Sequence, residues 1–476
     1  MRRTKIVATL GPASSGAETL RAMLEAGVNV VRLNFSHGSH ESHGEVIDRF
    51  RQVRDAMGLP AAVLLDTKGP EIRIGLLEGG AVRLEPGACF TLTTQDITGN
   101  AQRASITYKE LPGQLAEGSR LLLDDGRIGL RVLRCTEAEI KCEVETGGLL
   151  KDRKGINIPG SRLSMPYLSP ADQADLLFGI AKDVDFVAAS FVRRKEDVTA
   201  LRSFLNENGG HSIKIISKIE NLEGIENFSE ILAVSDGIMV ARGDMGVEVE
   251  YERLPGLQKK FIKACYSAGK MAITATQMLE SMVSSPNPTR AEITDVANAV
   301  CDGTSAVMLS SESAVGQYPV RAVEVMARIA CRAEEDAFEQ DAYRGIGHVM
   351  DAGDTTNAIC DATCRAARDL HAKAIIAVTK SGTTARRMSK FRPQIPVAAA
   401  TPEEKTFHQL ALSWGVYPVR ARLQSDTDDL FLHAIDCAKR IDLVEDGDTV
   451  VITGGVPLGT RGTTNILKVQ VVGEKI

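Results

Sequence analysis

Eight short runs of apolar, mostly β-branched residues recur along this chain, and each stops at polar or small residues. They are "TKIVATLGPAS", "VNVVRLNFSHG", "AAVLLDTKG", "VDFVAASFV", "IKIISKIEN", "GIMVARGD", "MAITATQML" and "TSAVMLSSES". Helix-like segments separate most of them, such as "GAETLRAMLEAG" after the first and "LPGLQKKFIKACYSAGK" after the sixth. Strands alternating with helices run parallel, because each helix carries the chain back to the edge where it started. Eight such units predict a closed (β/α)8 barrel, an α/β fold whose active site lies at the C-terminal ends of the strands. Those ends are where the sequence keeps its polar exceptions: Arg32, Asn34, Ser36, Asp66, Lys218, Glu220, Asp244 and Thr276.

The rhythm breaks between the third and fourth runs. Residues 71–165 hold many glycine turns ("EGG", "EPG", "ITGN", "DDG", "TGG", "IPG") and short alternating stretches such as "RIGLRVL" and "IKCEVE". This predicts a small β-barrel domain inserted in one βα loop, over the barrel mouth, where it can act as a lid. The catalytic barrel would then be discontinuous, residues 1–70 and 166–336. From 337 to 476 the pattern predicts a separate α/β domain, with neither a GxGxxG nor a GxxxxGK[ST] fingerprint.

A net charge of −6 argues against a nucleic-acid binder, which presents a basic face. The nine cysteines follow no CxxC pattern; Cys360 and Cys364 have helical spacing but no matching His or Cys pair to complete a metal site. Scattered, unpaired cysteines suit a reducing compartment, so a cytoplasmic location is expected. No apolar run approaches the ~18 residues that a membrane span needs.

In a strand, alternate residues share a face, so Ile216, Lys218 and Glu220 point one way. A salt bridge inside the barrel is the plain reading of that pair. The next strand end adds Asp244, set between two glycines of "ARGDMG". Two neighbouring carboxylates repel, which favours a divalent cation between them, Mg2+ or Mn2+ by the hardness of the oxygen ligands. An acid–base carboxylate pair is the alternative; Lys218 and Arg32 at the same mouth favour a metal together with a multiply charged anion. Asn34, Ser36, Asp66 and Thr67 supply oxygens with one full charge, which suits a monovalent cation or, equally, helix caps and turns. Arg32 and Arg73 offer guanidinium forks for phosphate. His37 caps a loop or meets a nucleotide. Spacing alone stops at a metal-dependent barrel enzyme acting on a phosphorylated or carboxylated metabolite.

These segments resemble the pyruvate kinase family nearly end to end. "IKIISKIENLEGI" is similar to the family's active-site signature, and "LGPAS", "VRLNFSHGSHESH", "LLDTKGPEIR", "DDG", "KGINIPG", "ARGDMGVE" and "ATQMLESM" stand in the family's order. The resemblance implies phosphoryl transfer from phosphoenolpyruvate to ADP, giving pyruvate and ATP. It implies Mg2+ on Glu220 and Asp244, and Lys218 on the transferring phosphoryl group. Arg32 and Arg73 would hold phosphates, with Asn34, His37, Asp125 and Lys154 towards the nucleotide. Gly243 and Thr276 would hold the substrate carboxylate, and Thr276 would lie near the route by which the enolate is protonated. Asn34, Ser36, Asp66 and Thr67 match the family's K+ ligands, and Glu71 matches its K+-dependent members.

Two positions depart from the family: "SSE" at Ser310, Ser311 and Glu312, and "LSPAD" at 168–172. In the C-terminal domain, the Ser/Gly/Thr loop Thr379, Ser381, Gly382, Thr383 and Thr384 would cradle the phosphate of an effector, a sugar phosphate or AMP, with "GGVPLGTRGTTN" over the same pocket. A homotetramer is expected from the resemblance. Two rivals stand beside this reading. A barrel aldolase or mutase using phosphoenolpyruvate or pyruvate would not need ADP. A catalytically dead metabolite sensor would need broken site residues, and Arg32, Arg73, Lys218, Glu220, Asp244 and Thr276 are all present.

Overall fold

The computed structural model describes residues 1–343, 353–457 and 464–474. All eight apolar runs form strands: Lys5–Thr9, Val30–Asn34, Ala62–Asp66, Phe186–Ala189, Lys214–Ile219, Gly237–Ala241, Met271–Ala275 and Ala306–Leu309. They pair in parallel, each with its sequence neighbours, and the first pairs with the eighth to close the barrel.

Side-chain alternation divides the strands into two packing layers. Val7, Val30, Leu64, Phe186, Ala188, Ile216, Met239 and Ile273 fill the barrel interior. Ile6, Val31, Leu65, Val187, Ile215, Ile219, Val240 and Leu309 face the surrounding helices. A parallel barrel covered by helices buries both strand faces, which is why these runs are apolar throughout. Ile216 lies inside and Ile215 outside, so Lys218, two residues beyond Ile216, enters the barrel end as the alternation predicts.

The ninety-odd residues after the third strand form a sheet of their own. Its order is Ile72–Arg73, Gly155–Asn157, Arg120–Leu123, Ile128–Cys135, Glu139–Thr146, Cys89–Thr93 and Arg103–Ser105, with a separate pair Ala81–Leu84 and Gly148–Lys151. Phe90, Leu92, Leu121, Leu130, Val132 and Ile140 pack its core, independent of the barrel. Its first and last strands pair side by side, so the chain leaves and re-enters the barrel at one place. The return path is tied to the barrel by Arg193, which donates to the carbonyls of Leu163 (3.1 Å) and Met165 (2.9 Å) and is braced by Asp197.

The last sheet runs Val416–Arg420, Val397–Thr401, Ala374–Val378, Thr449–Gly454, Ile466–Val471, parallel except for its final antiparallel strand. Helices cover both faces, and no described helix is long and apolar enough to cross a membrane.

Gly237 begins the sixth strand, closely packed against its two neighbouring strands. A Cβ there would stand 2.7 Å from the Ile216 side chain and 2.9 Å from the Met271 carbonyl. We expect Gly237→Ala to destabilise the barrel by about 1–3 kcal/mol in urea unfolding, as overpacking does.

Candidate active site

The third strand carries Asp66, fully buried, to the barrel mouth. Its carboxylate accepts from Arg32 Nε (2.5 Å) on the second strand and from Lys218 Nζ (3.1 Å) on the fifth. Burial alone would raise the Asp66 carboxyl, but Arg32 and Lys218 overcome it and hold the group below its ordinary range. Arg32 also donates to the Thr9 hydroxyl (2.9 Å), which fixes the guanidinium from the other side.

Lys218 is the hub. Besides Asp66, its ammonium reaches Ser190 Oγ (2.7 Å) and Glu220 Oε1 (2.9 Å). Burial works to lower its pKa, yet the Asp66 and Glu220 carboxylates overcome this and raise it, so the charge persists at neutral pH. Glu220 also accepts from the Phe191 N–H (2.6 Å), at a residue with φ of 53°. Burial pushes the Glu220 and Asp244 carboxyls above their ordinary range, against the pull of Lys218. Asp244 adds to the rise at Glu220, and Asp125 to the rise at Asp244. Two neighbouring carboxylates raised chiefly by burial form a donor set short of positive charge. Among the described residues no group of three or more His, Cys, Asp or Glu gathers for a metal. A pair of carboxylates nevertheless suits Mg2+, which keeps waters and substrate phosphate oxygens as its other ligands.

Asn34 and Asp66 stand directly opposite in the register of the second and third strands, with Ser36 and Thr67 just beyond each. The set is all oxygen with one carboxylate, as a monovalent cation requires. The turn reading also holds in part: Asn34 Oδ1 accepts from the Ser36 N–H (3.1 Å). The helix that follows, His40–Ala56, is capped by Ser39.

Above the mouth a cleft of about 450 Å3 opens between barrel and inserted domain. His37, Arg73, Asp125, Lys154 and Asp244 line it, while Arg32 lies beneath, buried against Asp66. Arg73 pairs in register with Gly155, so one antiparallel step brings Arg73 and Lys154 to the same rim. Arg73 bonds Glu71 (2.6 Å) and the Arg153 carbonyl (2.9 Å). Lys154 pairs with Asp124 (2.6 Å). Asp124 and Asp125 both have left-handed backbone, at φ of 50° and 55°. On the opposite side of the mouth, Thr276 Oγ1 accepts from the Gly243 N–H (2.9 Å).

The C-terminal loop is partly satisfied internally. Gly382, at φ of 78°, donates its N–H to Thr379 Oγ1 (2.9 Å), and Thr384 Oγ1 meets Thr464 Oγ1 (2.8 Å). The Ser381 and Thr383 hydroxyls bond each other (3.0 Å) and are not buried. Residues 458–463 of "GGVPLGTRGTTN" lie outside the described residues. The Cys364 sulfur contacts Met388 Sδ (3.7 Å).

Sequence reasoning passed over three participants. Ser190 bridges Lys218, Asp66 and the Thr67 carbonyl (2.7 Å). Its position at the end of the fourth strand is the signal that singled out the others. Arg193 and Arg242 are second in line behind the mouth, and only their contacts reveal them. Because Arg32 offsets the charge of a fully buried Asp66, Arg32→Gln is expected to cost about 3–5 kcal/mol in chemical unfolding.

Comparison with known proteins agrees with this geometry. The family model "Pyruvate kinase, barrel domain" matches residues 1–323, and "Pyruvate kinase, alpha/beta domain" matches 357–470. A pyruvate kinase of Clostridium acetobutylicum is 47% identical over 473 residues, 99% of this chain and 100% of its own. Those of Staphylococcus haemolyticus and Geobacillus stearothermophilus are 48% and 46% identical, over 100% and 99% of this chain and 81% of theirs. The chain belongs to the pyruvate kinase family.

Proposed function

We propose that this enzyme transfers the phosphoryl group of phosphoenolpyruvate to ADP, giving pyruvate and ATP, with Mg2+ and K+ as its cations. The observation that carries this is the Lys218 ammonium, kept charged inside the barrel by Asp66 and Glu220 and flanked by the Glu220–Asp244 carboxylate pair. Phosphoryl transfer spreads negative charge over the equatorial oxygens, and fixed cations in a water-poor site stabilise it.

In this reading, Glu220 and Asp244 would hold Mg2+, which would neutralise phosphate charge and polarise the enol oxygen. Lys218 takes the transferring phosphoryl oxygens. The Gly243 N–H and the Thr276 hydroxyl receive the substrate carboxylate, opposite Lys218. Arg32, buried against Asp66, holds phosphate from below, and Arg73 holds it from the rim. Asp125, Lys154, His37 and Asn34 face the nucleotide, and lid closure excludes water from the reacting groups. Thr276 stands on the side from which the enolate carbon would gain its proton.

Asn34, Ser36, Asp66 and Thr67 would hold K+ beside the phosphate site. Glu71, which pairs with Arg73, matches the family's K+-dependent members, and that resemblance supports the reading. The loop Thr379–Thr384 would bind an effector phosphate through its exposed hydroxyls and the start of the Thr383–Lys390 helix.

The deciding experiment measures pyruvate from phosphoenolpyruvate and ADP with Mg2+, with and without K+. Formation that requires ADP and rises with K+ is the expected result. Formation indifferent to K+ would remove the monovalent site, and formation without ADP would point to a different barrel chemistry. Lys218→Met is expected to lower kcat by about a thousandfold or more with a small change in substrate KM, because its charge acts mainly in the transition state.

A further inference from the structure

Thr276 ends the seventh strand in an unusual conformation. Its φ is 71° and that of Gln277 is 54°. Left-handed backbone is rare for any residue with a side chain and an outlier for a β-branched one, so such a turn persists only where neighbours enforce it. Here one side chain does so. Arg242, the first residue of the helix Arg242–Glu248 after the sixth strand, donates Nη2 to the Thr276 carbonyl (2.6 Å) and Nε to the Ala275 carbonyl (3.3 Å). Its remaining nitrogen is anchored by Asp295 Oδ1 (2.7 Å), on the helix Arg290–Cys301. The guanidinium thus bridges the ends of two adjacent barrel strands and the helix behind them.

The bridge matters because of what the turn presents. Thr276 Oγ1 accepts from the Gly243 N–H (2.9 Å) and donates to the Ala275 carbonyl (2.6 Å). Gly243 directly follows Arg242 in the chain, so the arginine's backbone and its side chain control the two halves of that hydrogen bond. A carboxylate binding at Gly243 has to take the N–H from Thr276. The hydroxyl can then turn towards the carboxylate only if the Thr276 backbone stays where it is.

We propose that Arg242 is a positioning residue for substrate recognition: it grips the left-handed turn at Thr276 so that the Thr276 hydroxyl and the Gly243 N–H converge on one carboxylate oxygen. This rests on the functional reading above and adds a selectivity to it, since the turn serves the carboxylate-bearing substrate and not the nucleotide in the cleft opposite. A lysine cannot replace the fork, because a single ammonium cannot reach two carbonyls and Asp295 together.

Steady-state kinetics on the purified full chain tests this. Arg242→Lys is expected to lower kcat/KM for phosphoenolpyruvate by about tenfold or more while KM for ADP stays within about twofold of wild type. Asp295→Asn, a milder change at a part-exposed anchor, is expected to move the same constants in the same direction by a smaller factor, which covers the case in which Arg242→Lys fails to fold. A loss shared equally by both substrates, or no loss in either variant, would overturn the proposal and leave Arg242 a general structural support. A wild-type chain that makes no pyruvate would overturn the functional reading and this one with it, whereas an active wild type with unselective variants overturns only this one.

Discussion

The charge network centred on Asp66 holds the barrel mouth together. A carboxylate with no solvent exposure is tolerable only because Arg32 and Lys218 approach it from the second and fifth strands. A buried ion without partners would cost several kcal/mol, so each member fixes the position of the next. Lys218 in turn orients Glu220 and Ser190, and Glu220 sits beside Asp244. Burial raises both carboxyls, so the mouth is poised to accept positive charge on one side and offers fixed positive charge on the other.

This arrangement also explains the division of labour between the domains. The barrel supplies a rigid floor of short, mutually satisfied contacts. The inserted sheet has its own core and touches the floor at few points, including Asn157 with Glu248 (3.5 Å) and Arg162 with Glu226 (3.0 Å). The inserted sheet leaves and re-enters the barrel by one paired path, and Arg193 pins that path at its return. The rim residues Arg73 and Lys154 belong to the inserted domain, while Lys218, Glu220 and Asp244 belong to the barrel. The site is therefore assembled from two bodies, each with its own core.

Periodicity made the barrel legible in the sequence. Eight β-branched runs can alternate with helices and bury both strand faces in few ways, and strand alternation placed Lys218 on the interior side from Ile216 alone. The candidate site was legible for a related reason: polar residues that end apolar strands are costly unless they serve a purpose. Ser190 carries the same mark at the end of the fourth strand, but a lone serine resembles a turn former and only its contacts with Lys218 and Asp66 reveal it. Asn34 showed the opposite ambiguity, since it bonds the Ser36 N–H as a turn residue does while facing Asp66 across the register.

The sequence by itself determined the strand and helix order, the barrel, the insertion after the third strand and the identity of the polar residues at the strand ends, because these depend on local periodicity and chain continuity. Only the tertiary structure decided which charges pair. Asp66 could have faced Lys68, two residues away, yet it meets Lys218, 152 residues on. Tertiary structure likewise decided that Arg242 grips the carbonyls of Ala275 and Thr276 and is anchored on Asp295. Such contacts depend on the closure and register of the barrel, which bring distant strand ends within bonding distance, and no local pattern encodes that distance.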